Sequence, residues 1–391
     1  MSSSKLDIVV YGATGFTGQL VAEYLAARYS DGSLKWAMAG RSKDKLASVR
    51  DAIGAPADTP LIVADASDVA SLKAMVAQTQ SVISTVGPYQ LYGNELIEVC
   101  VEAGSAYFDL CGEPVWMRQM IDKHEAAAKA SGARIVFSCG FDSVPFELGT
   151  FFVQEEAKRV FGAPASRVKG RVRNMRGTLS GGTAYSAKAT FDAVAKDLSL
   201  VAILNNPFAL TPGFEGAKQP RGSKPFYEED LQSWAAPFMM ALINTRNVHR
   251  SNMLMGFPYG QDFVYDEMVL TGAGEKGEKN AKLVMAANTG KTGPDAPKPG
   301  EGPSKEEREN GLYDLLYVAI APDGRTVRAG ITGDRDPGYG STSKMISECA
   351  ICLLRDTPDV RAGFWTPGAA MKDRLIKRLV DNAGLTFKVE A

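Results

Sequence analysis

The sequence predicts an α/β protein. Residues 1–149 read as a doubly wound parallel sheet and 150–335 as an α+β unit with a mixed, largely antiparallel sheet. Residues 336–391 read as helices that pack back toward the first unit. Three observations predict this. The β-branched run Ile8-Val9-Val10 enters a glycine turn that opens directly into a helix. Strand-like runs then alternate with helical stretches of about ten to fifteen residues, which implies a parallel sheet covered on both faces. After Gly149 that rhythm stops, and segments of alternating polarity take over.

The opening turn reads Gly12-Ala13-Thr14-Gly15-Phe16-Thr17-Gly18. Gly12 falls where the strand must turn, Gly15 where a backbone would approach a pyrophosphate, and Gly18 where the helix packs close to the strand. The start of that helix, with its free N–H groups, suits phosphate. This is the first unit of a Rossmann-type dinucleotide fold. A helix over 19–29 leads to a second strand, 34–39, which ends in Gly40-Arg41-Ser42. A site for NAD would place a carboxylate there to take the ribose hydroxyl. Arg41 stands there instead, followed by Ser42 and Lys45, a set suited to the 2′-phosphate of NADP(H).

The alternation continues with strands at 61–63, 81–86, 107–110 and 133–138 and helices at 69–78, 94–103 and 117–131. Ligands in such sheets sit at the carboxyl ends of strands. The candidate cofactor residues are therefore Gly12, Thr14, Gly15, Phe16, Thr17, Gly18, Arg41, Ser42, Lys45, Asp65 (beside adenine), Val86, Gly87, Pro88 and Tyr89. Beyond 149, a helix is expected over 151–161, a strand over 168–175 with Arg167, Lys169, Arg171 and Arg173 on one face, and a helix over 184–204. An apolar helix follows at 234–243, with strands at 262–271, 281–287, 312–321 and 326–332. Residues 291–310 read as a loop or lid, and the last two helices are expected at 341–354 and 369–383.

Composition sets bounds. Of 391 residues, 44 are Lys or Arg and 45 Asp or Glu, a balance that favours neither nucleic acid nor any other polyanion. Two histidines and five cysteines give no metal-ligand spacing beyond the apolar Cys349-x-x-Cys352, so no metal is expected. The cysteines suit the reducing cytoplasm. No apolar run reaches the roughly 20 residues needed to cross a bilayer. A cytoplasmic protein, at most peripheral to a membrane, is the expectation.

Several further stretches mark a family. They are Ala39-Gly40-Arg41, Gly87-Pro88-Tyr89, Cys139-Gly140-Phe141-Asp142-Ser143-Val144-Pro145, Ser180-Gly181-Gly182-Thr183, Ile243-Asn244-Thr245-Arg246, Gly300-Glu301-Gly302-Pro303-Ser304, Asp336-Pro337-Gly338-Tyr339-Gly340 and Thr366-Pro367. With the glycine turn, they resemble the saccharopine dehydrogenase-like oxidoreductases, most closely the trans-acting enoyl reductase branch. The resemblance implies NADP(H) held between a Rossmann domain and an α+β domain, and reduction of a C=C bond in an acyl group. It implies an acyl-thioester substrate, free or on a carrier protein, and a homodimer is a candidate assembly. The alternatives are a saccharopine-type amino-acid dehydrogenase, which needs cations converging on a dicarboxylate, and an NADP(H)-binding regulator without turnover.

Enoyl reduction needs a hydride at one carbon, a proton at the next and a donor for the thioester oxygen. Tyr89, after the fourth strand, is the candidate proton or hydrogen-bond donor; the alternative is a ring that walls off the cofactor. Asp142 and Arg246 are candidate substrate-binding residues, with a turn or helix-cap role and an internal ion pair as their structural alternatives. Glu113 has no assigned role, and Cys111 reads as core. Residues 234–243 with Met253 and Met255 offer an apolar wall for an acyl group or a peripheral lipid contact, or ordinary core.

Overall fold

The computed structural model describes residues 5–178, 181–287 and 300–391. Its first part alternates strand and helix: β1 (Leu6–Tyr11), α1 (Phe16–Arg28), β2 (Trp36–Gly40), α2 (Lys43–Ala52), β3 (Leu61–Val63), α3 (Val69–Val76), β4 (Thr79–Ser84), a single turn α4 (Tyr89–Tyr92), α5 (Asn94–Ala103), β5 (Ala106–Phe108), α6 (Pro114–Ser131) and β6 (Arg134–Val136). Helix α7 (Val144–Phe161) leads into the second part: β7 (Arg167–Arg176), α8 (Gly181–Lys196), α9 (Leu200–Asn205), β8 (Phe226–Glu228), β9 (Ser233–Pro237), α10 (Ala241–Leu254), β10 (Val264–Gly272), α11 (Gly274–Ala287), α12 (Lys305–Glu309), β11 (Leu312–Ile320) and β12 (Thr326–Gly333). The final elements are α13 (Thr342–Arg355), β13 (Gly363–Trp365), α14 (Pro367–Asn382) and β14 (Leu385–Glu390).

The first sheet has the order β13-β6-β5-β4-β1-β2-β3, and every pairing in it is parallel. Winding reverses between β1 and β4, which opens the crevice where ligands of such sheets lie. Strands β1 and β2 are nearly continuous apolar runs, as burial on both faces requires. The second sheet runs β14-β12-β11-β7-β10-β9-β8. Only β7 and β10 pair in parallel; the rest is antiparallel. The expected fold class is therefore observed.

Several expectations are corrected. Residues 281–287 are not a strand: they finish α11, whose buried Gly277 and Ala281 recur at helical spacing. A Cβ on Gly277 would lie 2.0 Å from the Gly272 oxygen, so the helix packs hard on the end of β10. The apolar stretch 234–243 is not one helix. Its first half is β9, paired on both sides by β8 and β10, and α10 starts only at Ala241. The 184–204 helix is two, α8 and α9, parted by a turn in which the Asp197 carboxylate accepts from Ser199 N–H at 2.9 Å. Of the expected 291–310 loop, 291–299 lie outside the described residues, as does Ser180; Lys305–Glu309 form α12 behind a Ser304–Glu307 capping box.

The C-terminal region serves both sheets. β13 extends the first sheet beside β6, and Tyr24 and Tyr29 both donate to the buried Glu348 of α13 at 2.6 Å. The tail does not follow: β14 pairs with β12 in the second sheet.

The basic face of β7 is not left for a partner. Arg171 is buried and pairs with Glu228 and Asp266, Lys169 with Glu228 and Asp230, and Arg173 with Asp314 and Glu390. Arg167 also pairs with Asp266. The four cations are matched by carboxylates from neighbouring strands and their connections.

Candidate active site

The glycine turn is built by close approach. Gly12 has φ +88°, and a Cβ there would meet Thr85 Oγ1 at 2.7 Å and Val86 Cγ2 at 2.8 Å. A Cβ on Gly18 would lie 2.1 Å from the Gly12 oxygen, so only glycine lets α1 sit this near β1. Gly15 N–H donates to the Gly12 oxygen at 2.9 Å and closes the turn. No side chain among the described residues caps α1 at Gly15. The first-turn N–H groups of Phe16, Thr17 and Gly18 thus have no capping side chain among the described residues. The Thr14 oxygen accepts from Gln19 Nε2 at 3.0 Å, which holds the middle of the turn.

The Phe16 side chain does other work. Its ring meets Tyr339 edge-on at 5.2 Å and carries the Arg308 guanidinium 5.6 Å from its centre. Asp336 shapes that neighbour by accepting from Tyr339 and Gly340 N–H at 3.0 and 2.7 Å. The 336–340 motif therefore seats the second part of the molecule against the glycine turn.

Arg41 leaves β2 exposed, and among the described residues no hydrogen bond or ion pair holds its guanidinium. Ser42 caps α2, its oxygen accepting from Lys45 N–H at 3.3 Å, which leaves its O–H free to donate. Lys45 is exposed on the first turn of that helix. At the end of β3, the half-buried Asp65 accepts from Ser67 N–H and O–H at 2.9 and 2.8 Å, and these bonds hold its pKa below the usual range. Burial first, then the Asp65 charge, pushes Tyr11 up to about 12.

Past β4, Thr85 and Val86 back Gly12, Gly87 is exposed and Pro88 buried. Tyr89 is not placed as a donor to substrate. It is buried, its hydroxyl donates to the Ser84 oxygen at 3.0 Å and accepts from Leu110 N–H at 3.1 Å, and its ring stacks on Trp116. It braces the ends of β4 and β5. The residue that shapes this loop is Glu113, which sequence reasoning passed over. Its carboxylate accepts from Tyr89 N–H and Gln90 N–H, both at 2.9 Å, and burial raises its pKa.

Arg246 is not a free cation either. It is buried inside α10, and its guanidinium donates to the Leu242 and Leu204 carbonyls, with Nε unpartnered among the described residues. Burial lowers it to about 10. Arg250 likewise donates to the Leu210 and Phe364 oxygens at 2.7 and 2.8 Å. These two arginines stitch helices and strands together rather than converge on a dicarboxylate.

Asp142 lies at the carboxyl end of the first sheet, after β6. Its Oδ1 is enclosed without a partner among the described residues, and desolvation raises the carboxyl to about 7. Asp109, at the end of β5, is fully buried and also raised to about 7; it accepts from the N–H groups of Cys111 and Ser138 at 3.0 and 2.9 Å. All five cysteines are buried and free, and no group of His, Cys, Asp and Glu among the described residues could hold a metal.

Comparison with known proteins agrees with this geometry. The family model of the saccharopine dehydrogenase NADP-binding domain matches residues 8–136. A trans-acting enoyl reductase of Mycobacterium ulcerans is 34% identical over 409 residues, covering 97% of each of the two proteins. A provisionally named trans-acting enoyl reductase of Mycobacterium tuberculosis is 38% identical over 406 residues, covering 96% of this protein and 95% of its own length. Among solved structures, apo saccharopine dehydrogenase (L-Glu forming) from Saccharomyces cerevisiae shares the fold, with TM-score 0.56 at 12% identity, covering 99% of this protein and 100% of that one.

Proposed function

Because the protein belongs to the saccharopine dehydrogenase-like oxidoreductases, on the trans-acting enoyl reductase branch, and is NADP(H)-dependent, we propose that it reduces the C=C bond of an apolar acyl thioester. The observation that carries this reading is the 34–38% identity to such reductases along nearly the whole sequence, second unit included.

The residues present fit the cofactor. A turn in which glycines replace side chains, an uncapped helix start and an unpaired guanidinium after β2 match a pyrophosphate and a 2′-phosphate. In this reading Gly12, Thr14, Gly15, Phe16, Thr17 and Gly18 hold the pyrophosphate through backbone groups. Arg41, Ser42 and Lys45 take the 2′-phosphate, Asp65 borders the adenine, and Val86, Gly87 and Pro88 back the nicotinamide. When bound, NADPH supplies the hydride for the β-carbon. The protein's task is then to place the double bond, exclude water and supply a proton.

The thioester is offered on a carrier protein in this reading. No helix among the described residues is long and apolar enough to cross a membrane, so any lipid contact would be peripheral. The test is NADPH oxidation with enoyl thioesters of increasing acyl length, on N-acetylcysteamine and on a carrier protein. Turnover that grows with acyl length is expected. Turnover with saccharopine and none with any thioester would refute the reading.

A further inference from the structure

Two separate pairs of buried polar groups lie near Asp142. Asn247 Nδ2 donates to Ser143 Oγ at 2.8 Å. Asn244, one turn earlier on the same face of α10, donates through Nδ2 to Glu267 Oε2 at 2.9 Å. The other Glu267 oxygen accepts from the Tyr265 hydroxyl at 2.9 Å. Both asparagines are fully buried and Glu267 is 2% exposed. Three oxygens, Asp142 Oδ1, Asn244 Oδ1 and Asn247 Oδ1, are enclosed with no hydrogen-bond partner among the described residues. A buried oxygen left without a donor is costly, so these three call for a functional reason.

No cation among the described residues is paired with Asp142 or Glu267. Glu267 is faced by Asp142 from the loop after β6, Asn244 from α10, Tyr265 and Asp266 from β10, and Tyr317 from β11; Thr150 of α7 backs Tyr265. Arg167 and Arg171 are spent on Asp266 and Glu228. Burial raises Asp142 to about 7 and Glu267 to about 8, with the Asp142 charge adding to the latter. Asp142 itself is half-buried, so its carboxyl spans the boundary between this interior and the carboxyl end of the sheet.

We propose that Asp142 is the acid that protonates the α-carbon of the substrate. This rests on the enoyl reduction reading. The Asp142 O–H bond breaks as a C–H bond forms at the α-carbon, using the electron pair left there when hydride from NADPH reaches the β-carbon. The carboxylate then regains a proton from water.

The test compares wild type, D142N, D142E and E267Q as full-length proteins, with an octenoyl N-acetylcysteamine thioester. D142N is expected to lower kcat by at least ~100-fold with NADPH Kd within ~2-fold, which also shows that it folds. D142E recovers part of the loss. E267Q is expected to leave the alkaline limb of the kcat–pH profile in place, because Glu267, raised to about 8, is still un-ionised while Asp142, raised to about 7, loses its proton. Difference infrared spectra at neutral pH are expected to show an un-ionised carboxyl in wild type that D142N lacks. An active D142N, an alkaline limb that moves in E267Q, or no such carboxyl band would each overturn the proposal. If wild type turns over no thioester at all, the enoyl reduction reading has failed instead, and the infrared band alone decides whether Asp142 holds a proton.

Discussion

The Tyr89 hydroxyl donates to the Ser84 carbonyl oxygen at 3.0 Å, at the point where β4 gives way to the loop beside the glycine turn. The same hydroxyl accepts from Leu110 N–H, so one phenol joins two adjacent strand ends. Tyr89→Phe keeps the stacked ring but strands a buried carbonyl and a buried amide. The expected cost is about 1–3 kcal/mol in urea unfolding, with kcat changed by no more than roughly threefold. A kcat loss of ~100-fold at unchanged stability would return Tyr89 to a chemical role.

Arg41 tests the choice of cofactor. Its guanidinium stands exposed after β2 with no partner among the described residues. Arg41→Ala should weaken NADPH at least ~10-fold, about 1.4 kcal/mol, and leave NADH nearly unchanged, as read by fluorescence titration. Equal losses for both nucleotides would show that Arg41 does not meet the 2′-phosphate.

What could be read in advance follows the range of the forces involved. β3 at Leu61–Val63 and α5 at Asn94–Ala103 fall where expected, because local signals determine both: the Leu-Ile-Val run in the first, helical spacing and the following Gly104 in the second. The turn glycines were legible for the same reason. The function of Glu113 was not, because the N–H groups it accepts from, on Tyr89 and Gln90, come from a different strand connection. The Asn244–Glu267 pair was hidden likewise, being formed only when α10 lies on β10. Apolar content at 281–287 suggested a strand, but the close seat of Gly277 on the Gly272 oxygen selects a helix. β13 is three residues recruited from the far end of the sequence, and no local signal marks so short a strand.

Gly18 tests the close approach itself. A methyl there would sit 2.1 Å from the Gly12 oxygen, a main-chain atom that cannot swing away. Gly18→Ala should displace α1 from the turn, costing roughly 1–3 kcal/mol and most of the NADPH affinity together. Gly87→Ala, whose Cβ would find its nearest neighbours at 3.6 Å, should fold normally. Wild-type affinity in Gly18→Ala would mean that the pyrophosphate lies elsewhere.

Glu147 gives the fold a pH dependence of definite sign. It is fully buried in α7; Oε2 accepts from Ser251 Oγ at 2.8 Å and Gly368 N–H at 2.9 Å, while Oε1 has no partner among the described residues. Burial raises it to about 8, against about 4.3 in the unfolded state. The folded state therefore binds the proton more tightly. Its stabilising contribution is complete below about pH 4 and is lost as pH rises through about 8, at up to ~1.4 kcal/mol per unit. Glu267, raised to about 8, and Asp109, raised to about 7, act in the same direction. Unfolding midpoints should thus fall between about pH 4 and pH 8, and Glu147→Gln, which cannot ionise, should reduce that fall by at least ~1 kcal/mol. An identical slope in the variant would mean that the Glu147 proton is not held by the fold.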